Sequence, residues 1–412
     1  MTYILKMAFR NIWRNRRRSI LAFTSVALSI AGITFFRAFA GGMLESIVKN
    51  STKNETGHIR ITTKKFREKR QFYPVTENIA EPEKIIAAIK ADPVISPRLE
   101  QVTERVNFGV LLANEGNNKY AAALAGDPEV EKDLLLLQNS LREGGRYIQN
   151  ERETIVGAGI ADALNLKVGD VLKVMTRGAD YALHLRKFNI VGIFETGLNI
   201  LDDKFFQIPL TDAKKLLRMD GSTQQIIIML KDYKKATDVA EKIRTLLNDD
   251  QLAVVSWTEH GEWATMVDMA TIIYNYFYFF IAFLGAFIIT NILMMVVLER
   301  RKEIGILKSM GISRFEVLNL FLFEGIVLGL IGSLAGISIG MIFNIYFAIN
   351  GLDFSAMMSS FNFPMDQRIF FEISPGSTIN ILLIGVFVSA VVSVLPSWRA
   401  SRMNAVDAIK SV

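Results

Sequence analysis

Four stretches of this 412-residue chain contain no Asp, Glu, Lys or Arg: 19–36, 269–298, 325–352 and 373–398. A helix needs about 20 predominantly apolar residues to cross a bilayer, and within hydrocarbon every backbone amide has to be satisfied inside the helix. The runs therefore predict four transmembrane helices. Half of the residues are apolar and the mean hydropathy is +0.28, which excludes a disordered or collagen-like chain and is too apolar for an ordinary soluble enzyme. With no cysteine, the chain has no disulfide, thiolate metal site or cysteine nucleophile.

Lys and Arg near the ends of spans favour the cytoplasmic side. Residues 1–18 carry Lys6, Arg10, Arg14, Arg16, Arg17 and Arg18 without an acid, and the segments 299–316 and 399–412 are also net basic. The segments 44–268 and 350–377 are net acidic. The pattern predicts a multi-pass membrane protein with both termini cytoplasmic. Its boundaries are a cytoplasmic amphipathic helix over 1–18, spans at 19–43, 269–298, 317–349 and 378–397, a cytoplasmic loop at 299–316 and a tail at 398–412. A large domain at 44–268 and a loop at 350–377 are exported. The net charge of +6 follows from this topology and is not a nucleic-acid footprint. The triplet Ala38-Phe39-Ala40 would suit a cleaved leader. However, Met7, Phe9, Ile12 and Trp13 recur at helical spacing in the basic start, which favours a retained interfacial helix.

The exported segment alternates strand and helix patterns. Strands are expected at Gly57–Thr62, Val102–Leu112, Tyr120–Ala125, Thr154–Val156, Val171–Met175, Lys187–Phe194, Lys204–Ile208, Gln225–Leu230 and Ala253–Ser256. Helices are expected at Glu83–Ala91, Glu129–Leu141, Ile160–Leu166 and Ala236–Leu247. This reads as an α/β domain of two subdomains, one inserted into the other at about 130–222.

No G-x-x-x-x-G-K-[ST] phosphate loop occurs, so ATP and its Mg ion are expected on a partner, with no cofactor bound here. Gly336-Ile-Ser338-Ile-Gly340 matches a hydrolase elbow in letters only, because it lies inside a span and not at a strand-turn-helix. Gly332, Gly336 and Gly340 instead form a stripe suited to close helix packing, and Ser25, Ser29 and Gly32 are small residues that would permit another helix to approach the first span closely. His58, His184 and His260 lack metal-ligand spacing. Glu324 is the one acid within a span, at a depth where a carboxylate is costly unless paired or functional. Tyr274, Tyr276, Phe277, Tyr278, Phe279 and Phe280 crowd the outer end of span two, as an interfacial belt or a lipid-handling surface. In the loop, Glu299, Arg300, Arg301, Lys302 and Glu303 precede Ile304, Gly305, Ile306, Leu307 and Met310, with Gly311 as the stop. That is a short amphipathic helix able to dock in a partner's groove.

The string Glu299–Gly311, followed by Phe323-Glu324-Gly325 and the glycine stripe, resembles the coupling helix and third span of FtsX-like ABC transporter permeases. The start, Met7-Ala-Phe-Arg10 through Arg18, and the end, Pro396-Ser-Trp-Arg399-Ala-Ser-Arg402 leading to Asp407-Ala-Ile409, are similar to the same family. Thr56-Gly57-His58-Ile59, Ser96-Pro97-Arg98, Ala125-Gly126-Asp127-Pro128 and Leu166-Lys-Val-Gly169-Asp170 resemble the lipoprotein-releasing LolC/LolE branch. The resemblance implies a two-subdomain periplasmic domain, a permease dimer of two copies or of related chains, and a cytoplasmic ABC ATPase dimer driven through the coupling helix. It implies release of lipoproteins to a periplasmic carrier. MacB-like efflux of small molecules or peptides and FtsX-like regulation of a cell-wall hydrolase are the alternatives. For lipoprotein release, an acyl cleft is expected between Val26, Ile30 and Ile33 of span one and Phe277, Phe280 and Leu284 of span two across a dimer interface, in contact with membrane lipid.

Overall fold

The computed structural model describes residues 16–197, 199–259, 261–354, 368–405 and 408. The expected amphipathic helix up to residue 15, together with His260, Asp407 and Ile409, lies outside the described residues. The chain divides into a helical unit (Met1–Ser46, Asp268–Phe354, Gln367–Val412) and an α/β unit (Ile47–Val267, Ser355–Asp366).

The helical unit is built on four helices, Arg16–Ser51, Gly261–Glu299, Arg314–Asn350 and Pro375–Arg402, each long and apolar enough to cross a membrane. The third starts at a capping box, in which Ser313 and Glu316 satisfy each other's backbone amides, and stops at Gly351, whose φ of 69° is open to glycine. Residues four apart share one helix face, so small residues set its neighbours. A Cβ at Gly332 would meet Val26 at 2.7 Å, one at Gly336 would lie 2.8 Å from Ile30, and one at Gly340 would lie 2.8 Å from Thr34, so this edge seats the first helix. On the adjoining edge, Gly325 and Gly329 abut Ser393 and Ser389 of the fourth helix. In lipid, where apolar burial drives little association, such backbone-close packing supplies the attraction.

In the α/β unit, β1 (Ile59–Thr63), β10 (Gln225–Leu230) and β11 (Leu252–Ser256) form an antiparallel sheet in the order β11-β1-β10, while the short β2 (Ile79–Ala80) and β9 (Ser222–Thr223) pair only with each other. The sheet continues into β3 (Leu99–Asn114) and β4 (Asn117–Gly126). From there it runs through β8 (Phe205–Pro209), β5 (Glu153–Gly157), β7 (Leu183–Phe194) and β6 (Val171–Arg177). β6 pairs back onto β3 at Leu111–Ala113, which closes six strands into a barrel. The β3–β4 hairpin turns on Glu115 and Gly116, both at positive φ, as a two-residue turn of the primed type requires.

Period-two alternation sends Val106, Phe108, Val110 and Leu112 into the barrel core with Ala123, Leu172, Phe188 and Phe206. Ile59, Ile61, Ile226 and Ile228 pack on helices Pro82–Ala91 and Ala236–Leu247 in a separate core. The boundary differs from the expected insertion at about 130–222. Only Leu99–Arg105 of the sixteen-residue β3 pairs with β10, and the overhang beyond it pairs with β6, so the hairpin itself belongs to the barrel. Arg105 marks the junction, opposite Gln225 on one side and Gly126 on the other.

Candidate functional site

The turn between the second and third helices is the most strongly tied cluster of charge in the helical unit. Arg300 follows the second helix directly and caps the short helix Arg301–Ser309, its carbonyl accepting from the Ile304 amide at 3.0 Å. Its side chain is 7% exposed. The guanidinium donates through Nε to Glu303 Oε2 at 2.9 Å and through NH1 to Glu324 Oε2 at 3.2 Å, and lies 5.4 Å from the centre of the Phe321 ring. Glu324 is therefore paired. A buried acid at membrane depth needs such a cation, and Arg300 supplies it from 24 residues away in sequence.

The short helix turns one face into its own chain. Ile304 is 1% exposed and packs with Val297, Val317, Phe321 and Ala400, and Gly305 is also buried. Lys308 donates to the carbonyls of Ser401 at 2.5 Å and Met403 at 2.7 Å, tying the helix to the end of the fourth. Burial, with the Arg314 charge behind it, holds the Lys308 ammonium below the ordinary lysine range. The other face is open: Ile306 is 53% and Met310 77% exposed, and Lys302 and Gly311 are exposed, the latter at φ 92°. Glu299 is exposed, whereas Arg301, Glu303 and Leu307 are half-buried. The expected apolar docking face is thus divided, with Ile304 turned inward and Ile306 and Met310 outward.

Sequence reasoning missed the roles of Arg300 and Lys308, which look like ordinary polar members of the first and last turns. It also missed Ser389, Ser393, Ser397 and Ser401, a four-residue repeat on the fourth helix that is buried throughout. The four-residue spacing of Ser389, Ser393 and Ser397 within the charge-free run 373–398 is the available signal.

The residues expected to line a cleft across a dimer interface occupy different surroundings within the single chain. Val26 and Ile30 are 3% and 5% exposed because the glycines of the third helix and Gly385 of the fourth pack on them, although Ile30 also lines a cavity between the first, second and fourth helices. Gly32 is exposed, and a Cβ there would meet nothing within 4 Å, so it does not seat a neighbour in this chain. Ser29 contacts Gly285 of the second helix, and Ser25 donates to its own Leu21 carbonyl. Phe280 and Leu284 are exposed, and Phe277 meets Phe36 with ring centres 4.5 Å apart. Ile33 is half-buried.

Among the described residues, no three His, Cys, Asp or Glu side chains are grouped so as to hold a metal ion. His58 is buried and accepts the Leu230 amide at 2.8 Å, and His184 bonds to Asp180 at 2.9 Å.

Comparison with known proteins adds to this geometry. Residues 19–246 match the MacB-like periplasmic core domain, and residues 275–405 match the FtsX-like permease C-terminal region. A lipoprotein-releasing system transmembrane protein LolC of Xylella fastidiosa is 25% identical over 332 residues, covering 76% of this chain and 78% of that protein. An uncharacterized ABC transporter permease of Methanocaldococcus jannaschii is 25% identical over 349 residues, covering 82% and 83%. The macrolide export ATP-binding/permease protein MacB of Agrobacterium fabrum is 22% identical over 99% of this chain, which spans 60% of that protein's length. The periplasmic region of MacB from Actinobacillus actinomycetemcomitans aligns at a TM-score of 0.36 and 12% identity, over 51% of this chain and 93% of that one. With more than half of its length matched by one family model, and its C-terminal helices by a second, the chain belongs to the family of MacB-like periplasmic core domain proteins with an FtsX-like permease region, a multi-pass ABC transporter permease of the FtsX/MacB/LolC type.

Proposed function

We propose that this chain is the permease subunit of an ABC transporter that releases lipoproteins from the inner membrane toward a periplasmic carrier, driven by a separate cytoplasmic ATPase dimer. In this reading it pairs with a second permease, identical or related. The positive flanks support a topology with both termini and the Arg301–Ser309 helix in the cytoplasm and the α/β unit in the periplasm. The observation that carries the coupling part is the divided short helix. One face is locked to the second, third and fourth helices through Arg300, Ile304 and Lys308, while Ile306 and Met310 stay open for an ATPase groove. A helix so held transmits a push from its partner to the bundle as a rigid lever.

The LolC relatives favour lipoprotein as the cargo over the efflux reading, which rests on MacB relatives longer than this chain. The chain supplies no phosphate loop, so its role is to bind and move, while hydrolysis stays on the partner.

The test is reconstitution with the partner ATPase in proteoliposomes holding an acylated lipoprotein. ATP should move the lipoprotein into the soluble fraction only when carrier is present, and Ile306→Glu with Met310→Glu should abolish both ATPase co-purification and release. Absence of release, with hydrolysis stimulated instead by a soluble peptide or drug, would move the assignment to efflux. Hydrolysis by the purified chain alone would overturn the permease reading.

A further inference from the structure

A trough between the first, second and fourth helices has a volume of about 550 Å³. Its apolar wall includes Ile33, Ala282, Phe283, Ile384 and Val388, and the same cavity is lined by Arg37, Asn275, Ser377 and Asn380. The sequence gathers those polar groups at one end. Arg37 directly follows the charge-free run 19–36, Asn275 lies near the start of 269–298, and Ser377 and Asn380 lie near the start of 373–398. At 1.5 Å per residue, Val388 is about 16 Å deeper than Ser377 and Ala286 about 16 Å deeper than Asn275. The trough therefore runs from one membrane surface into the hydrocarbon, polar at its mouth and apolar along its length.

Arg37 sets the chemistry of the mouth. It is exposed, its guanidinium lies 5.6 Å from the centre of the Tyr278 ring, and no carboxylate pairs with it among the described residues. Glu372 donates its backbone amide to the Ala38 carbonyl at 3.0 Å but turns its carboxylate to Gly41, one turn away. A planar fork of N–H donors beside two amides and a hydroxyl suits a phosphate better than a carboxylate-poor apolar surface suits a bare cation. The volume is in the ordinary range for a small-molecule site, about 300–1,000 Å³.

We propose that this trough is a binding site for a glycerophospholipid of the surrounding bilayer, its phosphate on Arg37 and one acyl chain along Ile33, Phe283, Ile384 and Val388. The proposal needs only that the four helices span a membrane, and does not depend on the identity of the cargo.

The test uses the full chain in nanodiscs containing phosphatidylglycerol with a photoreactive group on one acyl chain. Labelling should concentrate on Ile384, Val388 and Phe283, about fivefold above Phe343, an exposed residue of the third helix, an excess that corresponds to one charge-assisted contact. Arg37→Gln should remove most of that excess and Arg37→Lys should keep a substantial part. Ile384→Trp, which fills the trough with Arg37 intact, should remove it as well. A diacylglycerol probe with the same reactive chain should label the trough weakly. Equal labelling by the two probes, equal labelling of wild type and Arg37→Gln, an even spread over lipid-facing positions, or an unlabelled trough covered by a second copy would each overturn the proposal.

Discussion

Each unit of this chain buries an arginine–glutamate pair, and the two are built differently. In the α/β unit, Arg105 and Glu131 are each 1% exposed and meet twice, at 2.9 and 2.7 Å, while Arg105 also donates to the Lys53 carbonyl at 3.2 and 3.3 Å. In the helical unit, Arg300 meets Glu324 once, at 3.2 Å, and shares its guanidinium with Glu303, whose side chain is 44% exposed. The first pair is fork to fork and closed, which fixes one arrangement at the point where sheet becomes barrel. The second is a cation with two carboxylates on two different helices. Its hydrogen bonds can shift toward the more exposed Glu303 while the guanidinium stays beside the buried Glu324, an arrangement suited to a joint that moves.

If the closed pair is a pin, breaking it should give the largest effect. Arg105→Met or Glu131→Leu alone leaves an uncompensated buried charge and should cost about 3–5 kcal/mol, whereas the double substitution should recover most of it. Thermal unfolding of the full chain, followed by proteolytic cleavage within the α/β unit, reads this. Singles no worse than the double would show that the pair pins nothing.

The same unit should be acid-sensitive through His58. Burial, foremost, holds its pKa at about 4 against 6.5 for the free side chain. Between those values the unfolded chain binds more protons, so stability is complete above about pH 6.5 and falls as pH drops toward 4, by about 3 kcal/mol in all. Protonation also ends the Nδ1 acceptor for Leu230. Hydrogen exchange at the Leu230 amide should therefore accelerate from pH 7 to pH 4.5, and a His58→Gln chain should lose that dependence. Glu153, held at about 2 chiefly by its hydrogen bonds from Arg146, has its stabilising contribution in full above about 4.5 and leaves this window clear. A flat profile in wild type would remove His58 from the account.

Packing of the helical unit gives the next, smaller effect. A Cβ at Gly336 would sit 2.8 Å from the Ile30 side chain and still closer to a backbone carbonyl of the first helix, while one at Gly32 would meet nothing. Gly336→Val should destabilise the bundle by about 1–3 kcal/mol through overpacking, and Gly32→Val should leave its melting unchanged. Equal responses would mean that the glycine stripe is not the seat of the first helix.

The helical spans, the strand order of hydrophobicity and the short helix after Glu299 were legible because each depends on a local period, 3.6 or 2, carried by consecutive residues. Gln225–Leu230 and Ala236–Leu247 were placed at their observed ends for that reason. The barrel closure was not legible, since the β3 overhang that reaches β6 leaves no local mark distinguishing it from an ordinary hairpin arm. Likewise, Glu324 was recognisable as a cost at its depth, but its partner was hidden, because Arg300 sits in a basic run where three cations look alike. Which face of the short helix is free was hidden too, since Ile304 and Ile306 are the same residue type two positions apart and only packing separates them.

The smallest expected change in stability tests the joint itself. Glu324→Gln keeps an oxygen that accepts from Arg300 but removes the charge that holds it, so Arg300 should shift toward Glu303 and the third helix should lose its tie to the turn. Folding should be little affected, because Glu303 still compensates the cation, whereas the partner's hydrolysis should become less dependent on cargo by about tenfold, the equivalent of about 1.4 kcal/mol of coupling. Arg300→Lys should give an intermediate loss, since an ammonium cannot span both carboxylates as a guanidinium does. The measurement is ATP turnover with and without cargo in reconstituted vesicles, together with melting of the same preparations. A Glu324→Gln chain that melts several degrees lower while coupling normally would reverse the comparison and make Arg300–Glu324 a second pin like Arg105–Glu131.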